Sequence, residues 1–413
     1  MQERIVITGM GTVNPLGLNV KETWGNIVAG LSGVEPITLF DSTPLHVHIA
    51  AEVKGFNPEN FMDAKEARRR DRFEQFGVTA AKEALAQSGL QVTEQNAGRM
   101  GVIISSAIGG LKSLQDAILT NHTEGPRKVS PFLIPMLMSN GAAGMIAIDL
   151  GIKGPCFSVA SACASGADGI GMAMMMLQTG MIDAALAGAA ESALTSTGVA
   201  AFDRVGATSR RNDDYSMTPQ PFDKNRDGLV MGEGAGVLIL ERESSAKARG
   251  AIILAELAGY GATADAYHVT APHEHGEGGA SAIRMALASA KANLADVGYI
   301  NAHGTGTLLN DQSETRAIKA AFGKDLAYKI PTSSTKSMTG HMMGATGALE
   351  AILCALAIRD GILPPTIHYE TPDPECDLDY VPNKAREAKI SLAISNAFGF
   401  GGHNAVLAIR KYE

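Results

Sequence analysis

Apolar residues fall along this chain in two rhythms. Short unbroken runs read as buried strands: Ile5-Val6-Ile7-Thr8 ahead of a glycine-rich turn, Gly101-Val102-Ile103-Ile104, Gly236-Val237-Leu238-Ile239-Leu240 and Ala393-Ile394-Ser395. Between them lie helical stretches, residues 78–88 and 280–293 among them. Alternation of this kind predicts an α/β protein built in layers.

Two segments share one design. Ser158-Val159-Ala160-Ser161-Ala162-Cys163 leads into small and methionine-rich helical residues up to about position 177. Residues 332–336 lead through a turn with Gly340-His341 into residues 344–358. Each reads as a strand, a turn that carries a reactive residue type, and a small-residue helix suited to deep burial. The repetition suggests an internal duplication, with halves 1–250 and 251–413 meeting near residue 250. No low-complexity segment or flexible linker divides them, so the halves are expected to pack as one body.

Composition narrows the class. The 413 residues are 45% hydrophobic and 19% charged, enough for a large core and contrary to disorder. A net charge of −8 disfavours a general nucleic-acid binder. Residues 1–9 lack the basic-then-apolar pattern of a secretory signal, and no run of about 18 uninterrupted apolar residues occurs, so membrane insertion is not expected. The four cysteines, Cys156, Cys163, Cys354 and Cys376, form no CxxC pair, which fits free thiols in a reducing cytoplasm better than a disulfide framework.

Several motifs fail on inspection. Gly9-Met10-Gly11 follows a strand, but Asn14 stands where a dinucleotide fingerprint needs its third glycine. The segment Asp223 to Gly228 opens like a calcium loop, yet Gly234 occupies the position of the bidentate glutamate. There is no GxxxxGK[ST] phosphate loop, and His273 and His275 have no cysteine or third histidine close by in sequence, so no metal site is expected.

What remains is a nucleophile and its surroundings. The residues before and after Cys163 put it at or near a helix N-terminus, where the dipole and free N–H groups favour a thiolate. A buried, inert cysteine is the competing reading. His303, in Asn301-Ala302-His303-Gly304-Thr305-Gly306-Thr307, sits on a glycine-rich loop whose threonines could bond an extended polar ligand. His341 follows Lys336 closely, and a nearby ammonium disfavours imidazolium, leaving Nε2–H as a neutral donor. The run Ser395 to Asn404 is dense in glycine, which lets backbone N–H groups turn towards an oxyanion, or simply makes a tight turn closing the sheet.

Taken together these segments resemble the β-ketoacyl-acyl-carrier-protein synthases, the elongating condensing enzymes of fatty-acid synthesis. The likeness runs over essentially the whole chain. It includes Thr8-Gly9-Met10-Gly11, Pro221-Phe222-Asp223 through Arg226-Asp227-Gly228 to Gly232-Glu233-Gly234-Ala235-Gly236, and Asp265-Ala266-Tyr267-His268 with Thr270-Ala271-Pro272. Cys-His-His, rather than Cys-His-Asn, matches the elongating type II branch and not the initiating type III enzymes.

The resemblance implies a thiolase fold of five layers, α-β-α-β-α, in a cytoplasmic homodimer that uses no cofactor and receives its substrates on the phosphopantetheine arm of acyl carrier protein. It implies that Cys163 takes the acyl chain as a thioester, that His303 and His341 stabilise the enolate formed when malonyl-ACP loses carbon dioxide, and that Lys336 organises the His341 side with Glu350 in support. The N–H groups of Cys163 and Phe400 would form the oxyanion hole, with Phe400 gating the acyl pocket. Ile108, Phe202 and Phe398 would contact the substrate, Thr270, Thr305 and Thr307 the phosphopantetheine arm, and Lys65, Arg68 and Arg69 the acidic carrier.

Two loops depart from the family pattern. Gly304-Thr305-Gly306-Thr307-Leu308-Leu309-Asn310 replaces Gly-Thr-Ser-Thr-Pro, and Val205-Gly206-Ala207-Thr208 replaces an Arg-Ala-Leu segment. These changes resemble relatives in specialised polyketide or modified-lipid pathways. A thiolase would need a second catalytic cysteine in residues 395–404, which hold none. A non-catalytic partner subunit of the chain-length-factor kind would lose the nucleophile, which is retained.

Overall fold

The computed structural model describes residues 3–413; residues 1 and 2, which open the expected first half, lie outside the described residues. Five strands of the first half are β1 (Ile5–Val13), β2 (Met100–Ser105), β3 (Cys156–Phe157), β4 (Ala184–Glu191) and β5 (Gly234–Arg242). Five of the second are β6 (Ala255–Ala264), β7 (Val297–Asn301), β8 (Thr332–Ser333), β9 (Leu392–Gly399) and β10 (His403–Arg410). The helices that matter to the site are α1 (Arg72–Ser88), α2 (Leu111–Thr123), α3 (Gly141–Leu150), α4 (Ser165–Gln178), α5 (Ser196–Val205), α6 (Glu277–Ser289), α7 (Leu308–Phe322) and α8 (Thr346–Asp360).

The ten strands form one hydrogen-bonded sheet in the order β8-β7-β9-β10-β6-β1-β5-β4-β2-β3. Counted within its own half, each set of five runs 3-2-4-5-1 from outer edge to centre. The directions repeat as well: β1 with β5 and β5 with β4 are antiparallel, and β4 with β2 and β2 with β3 parallel. The partners β6–β10, β10–β9, β9–β7 and β7–β8 follow the same sequence of directions. The halves join where Ile5 to Ile7 pair antiparallel with Ala255 to Leu257.

Period-two alternation along the strands sorts side chains onto two faces. In the first half, Ile103, Leu238 and Leu240 point to one cluster, and Val102, Ile104, Val237 and Ile239 to another. The first cluster also takes Ala393, Leu407 and Ile409 from the second half and encloses α4 and α8. The opposite faces are covered by α1 and α3 in the first half and by α6 and α7 in the second. The layers therefore run helix, sheet, helix, sheet, helix, as the resemblance implies. In α8, residues 346–358 are all buried. A helix buried on every side belongs in the middle of a molecule, and this one lies in the central layer.

Candidate active site

In open α/β sheets the carboxyl ends of parallel strands are where ligands gather. Here the segments that leave β3, β7, β8 and β9 bring Cys163, His303, His341 and Phe400 to one cleft of about 290 Å³. Phe202, Thr270, Thr305, Thr307 and Phe398 line the same cleft. A larger polar groove of about 480 Å³, between Arg4, Glu256 and Lys411, contains neither cysteine nor histidine.

Cys163 lies two residues ahead of α4, whose N-terminal cap is Ala164. The strand before it is only Cys156–Phe157, shorter than the run 158–163 suggests. The chain turns instead, with Ala162 at φ +51° and the N–H groups of Ala164 and Ser165 donating to the carbonyls of Ser161 and Ala162 at 3.1 Å each. That turn sets the sulfur over the positive end of α4. Gly399 abuts it: a Cβ there would fall 3.0 Å from the Cys163 nitrogen and 2.9 Å from the Ser161 oxygen. Only a glycine allows the hairpin loop of β9 and β10 to come this close.

His341 reaches the Cys163 sulfur directly, Nε2 to Sγ at 3.1 Å. Its Nδ1 lies 3.0 Å from the Thr346 hydroxyl at the start of α8. A threonine O–H donating to Nδ1 leaves the proton on Nε2, the tautomer that serves as a donor. The His303 ring stands 5.3 Å from that of His341, nearly perpendicular, and 5.9 Å from Phe398. The donor atoms of Cys163, His303 and His341 all lie within 4.8 Å of one another.

Burial, the Lys336 ammonium and, for His303, its neighbour His341 hold both imidazoles well below the ordinary histidine range. Burial pushes the Cys163 thiol up to about 11, while Lys336 and the backbone N–H groups of Phe400 and Cys163 pull it down. Two neutral imidazoles and two backbone N–H groups thus surround one sulfur that is largely buried at the base of the cleft. A lowered value means that protonation sets in only at lower pH. On this basis, 13C-histidine NMR should leave both ring signals unmoved as pH falls from about 8 to about 6. A midpoint near the ordinary histidine value in either ring would contradict this electrostatic account.

Lys336 is buried behind the histidines and donates to Glu350 on α8 at 2.6 Å, both side chains 1% exposed. Burial pushes the Glu350 carboxyl up to about 7, against the pull of Lys336. Removing one partner of such a pair leaves an uncompensated buried charge. Glu350→Gln is accordingly expected to cost about 3–5 kcal/mol of stability, read as a fall in the denaturant midpoint. An unchanged midpoint would mean that the pair carries no such burden.

Ile108 is half-buried and packs in the cluster that holds Cys163, Phe202 and Phe400, although it does not line the cleft itself. Phe202 on α5 and Phe400 stack at 6.2 Å. Lys65 and Arg68 are exposed, and neither meets a carboxylate within ion-pair distance among the described residues. Arg69 is engaged, paired with Glu66 at 3.4 Å and lying over the Phe132 ring.

Three groups escaped the sequence reading. Glu314 on α7 accepts the backbone N–H groups of His303 and Gly304 at 2.8 and 2.7 Å and the Asn396 amide at 3.0 Å, and so fixes the histidine loop. It had a signal: Asp311, Glu314, Ile318 and Phe322 form one buried stripe at helical spacing, and two acids on such a stripe are out of place on packing grounds alone. Glu191 had none, because its partners are 83 to 153 residues away, and Thr346 had none, because a threonine opening a buried helix looks like an ordinary helix start.

Fold and cluster together define an acyl-transferring condensing enzyme of the thiolase class. The chain belongs to the beta-ketoacyl synthase family, matching the model of its N-terminal domain over residues 2–246 and of its C-terminal domain over residues 254–370. It is 50% identical over 411 residues to the 3-oxoacyl-(acyl-carrier-protein) synthase 2 of Staphylococcus aureus (strain COL), covering 100% of this chain and 99% of that one. Among solved structures it is similar to the ishigamide ketosynthase/chain length factor, with a TM-score of 0.93, 36% identity and 100% of both chains covered. It is also similar to a type II PKS acyl-carrier protein in complex with its ketosynthase bound to the hexaketide, with a TM-score of 0.92, 34% identity and 100% of both chains covered.

Proposed function

We propose that this chain is an elongating 3-oxoacyl-(acyl-carrier-protein) synthase that condenses malonyl-ACP with an acyl chain held on Cys163. The observation that carries the reading is the 3.1 Å contact between Cys163 Sγ and His341 Nε2 inside a buried Cys-His-His cluster at a cleft. In the first half-reaction the Cys163 sulfur attacks the acyl thioester, the carrier thiolate leaves, and the proton given up by Cys163 ends on the carrier thiol. Covalent capture splits a difficult condensation into two easier steps.

In the second, malonyl-ACP loses carbon dioxide, and the electron pair of the broken C–C bond passes into an enolate. Its oxygen accepts hydrogen bonds from the neutral imidazoles of His303 and His341, so the carbanion forms without a strong base. The carbanion attacks the acyl carbonyl on Cys163, whose oxyanion is held by the N–H groups of Cys163 and Phe400. Collapse releases 3-oxoacyl-ACP and a Cys163 thiolate, which takes one proton from solvent. These steps call for no metal and no cofactor. Lys336, with Glu350 beside it, keeps the imidazoles neutral.

Phe400 gates an acyl pocket bounded by Phe202, Phe398 and Ile108, and Thr270, Thr305 and Thr307 bond the phosphopantetheine arm. Lys65 and Arg68 dock the acidic carrier, with Arg69 at the margin. The protein is read as a cytoplasmic homodimer of chains whose halves are 1–250 and 251–413. No helix among the described residues is long and apolar enough to cross a membrane.

A second reading keeps the chemistry and changes the substrate: a ketosynthase of a specialised polyketide or modified-lipid pathway with its own carrier. The two departing loops favour it, because Val205, Leu308 and Leu309 line the cleft and are 51%, 55% and 62% exposed there. A panel of carrier-bound acyl donors with malonyl-ACP separates the two. Straight-chain donors should give 3-oxoacyl-ACP and one carbon dioxide per turnover. If every straight-chain donor is inert while a polyketide or branched thioester is consumed, the elongating reading falls to the second.

A further inference from the structure

Glu191 takes no part in these steps, yet it is a buried carboxylate bonded to both halves of the molecule. It ends β4, is 0% exposed, and has no cation within ion-pair distance among the described residues. An unpaired carboxylate is costly to bury and persists only where hydrogen bonds compensate it. Burial pushes this one up to about 7, against four donors.

Those donors come from two places. The Ser106 hydroxyl, the Ala107 N–H and the Ile108 N–H donate at 2.8, 2.7 and 3.3 Å. Ser106 in turn accepts the Gly109 N–H at 2.9 Å, so residues 106–109 of the turn after β2 are tied, directly or through Ser106, to this one side chain. The fourth donor is the Gly344 N–H at 3.3 Å, from the other half of the molecule. Gly344 lies in the short 3-10 turn Met343–Ala345 that joins His341 to Thr346, the residue on His341 Nδ1. A Cβ at Gly344 would fall 2.8 Å from both the Ala107 nitrogen and Glu191 Oε2, so the two turns rest directly on one another.

We propose that Glu191 is a positioning residue that ties the turn carrying Ile108, which packs in one cluster with the cleft residues Phe202 and Phe400, to the turn that aims His341, so that acyl-chain selection and malonyl decarboxylation depend on one carboxylate. The inference rests on the function proposed above. It makes the Ile108 turn and the histidine turn parts of one hydrogen-bonded unit spanning both halves, and assigns acyl selectivity to a residue outside the cleft.

Two variants separate the linked effects. Glu191→Gln keeps the size but turns an NH2 group towards donors that need an acceptor. Ser106→Ala cuts only the pocket-side hydroxyl and leaves the Gly344 bond. The readouts are the rates of Cys163 acylation by hexanoyl-ACP and dodecanoyl-ACP, followed by intact mass, and the release of labelled carbon dioxide from malonyl-ACP. Glu191→Gln is expected to slow decarboxylation by roughly tenfold to a hundredfold, the scale of hydrogen bonds to a charged group, and to change the hexanoyl-to-dodecanoyl rate ratio. Ser106→Ala is expected to change that ratio with decarboxylation at the wild-type rate.

A Glu191→Gln protein with a lower melting temperature but wild-type ratio and decarboxylation would overturn the proposal, the role then being structural alone. Should that variant not fold, a wild-type ratio in Ser106→Ala would overturn it equally. A wild-type enzyme that accepts neither acyl group would instead bring down the proposed function, and this inference with it.

Discussion

Cys163→Ala is expected to form no acyl-enzyme and to lose condensation by at least about 10⁴-fold, the scale seen when a covalent nucleophile is removed. The same variant should still release carbon dioxide from malonyl-ACP. Decarboxylation needs an oxyanion stabiliser, and the variant retains both imidazoles and the Phe400 N–H beside the site. The dissociation of the two activities is the informative part. A fold disrupted by the substitution would lose both, and alanine is a small change at a side chain that is 8% exposed and packed beside small residues. Formation of 3-oxoacyl-ACP by this variant would mean that another group carries the chain.

His303→Ala should give the opposite pattern. Loss of one preorganised donor to a developing oxyanion costs about 10²–10³-fold in rate, and here the oxyanion is the malonyl enolate. Acylation of Cys163 should remain near the wild-type rate, because the imidazole within hydrogen-bond reach of the sulfur is that of His341. His341→Ala, by contrast, should slow both half-reactions. The His303 backbone is held independently, by Glu314 on its N–H and on that of Gly304, so truncating the ring leaves the loop in place. If His303→Ala blocked acylation and spared decarboxylation, the role given to His303 would be contradicted.

How much of this could be read from the chain follows from where each interaction lies. The long strands β1, β5, β9 and the helix α8 carry their period in their own residues, and the α/β layering follows from them, while the duplication is suggested by the matched segments that carry Cys163 and His341. The strands β3 and β8 are two residues each, too short for any period, and the chain after β3 turns at Ala162 where an extended run is expected. The reactive trio was legible because cysteine and histidine among glycine and small residues have few packing explanations. Lys336 and Glu350, 14 residues apart, could be suspected as a pair.

Glu191 could not be suspected in this way. Its bond to Gly344 spans 153 residues and joins two halves whose relative placement no local pattern encodes. Thr346 is hidden for a related reason. A threonine opening a buried helix looks like a helix start, and its contact with His341 exists only because the turn between them folds back. Resemblance supplied Ile108 and Phe202 as pocket residues. Their own sequence surroundings say only that they are apolar.

The most direct test of the account is the mass of the protein after exposure to acyl-ACP and again after malonyl-ACP, with peptide mapping of the adduct. The account predicts one acyl group on the peptide that contains Cys163, none on the exposed Cys156, and full discharge as 3-oxoacyl-ACP once malonyl-ACP is added. An adduct on another residue, or one on Cys163 that malonyl-ACP leaves in place, would contradict it.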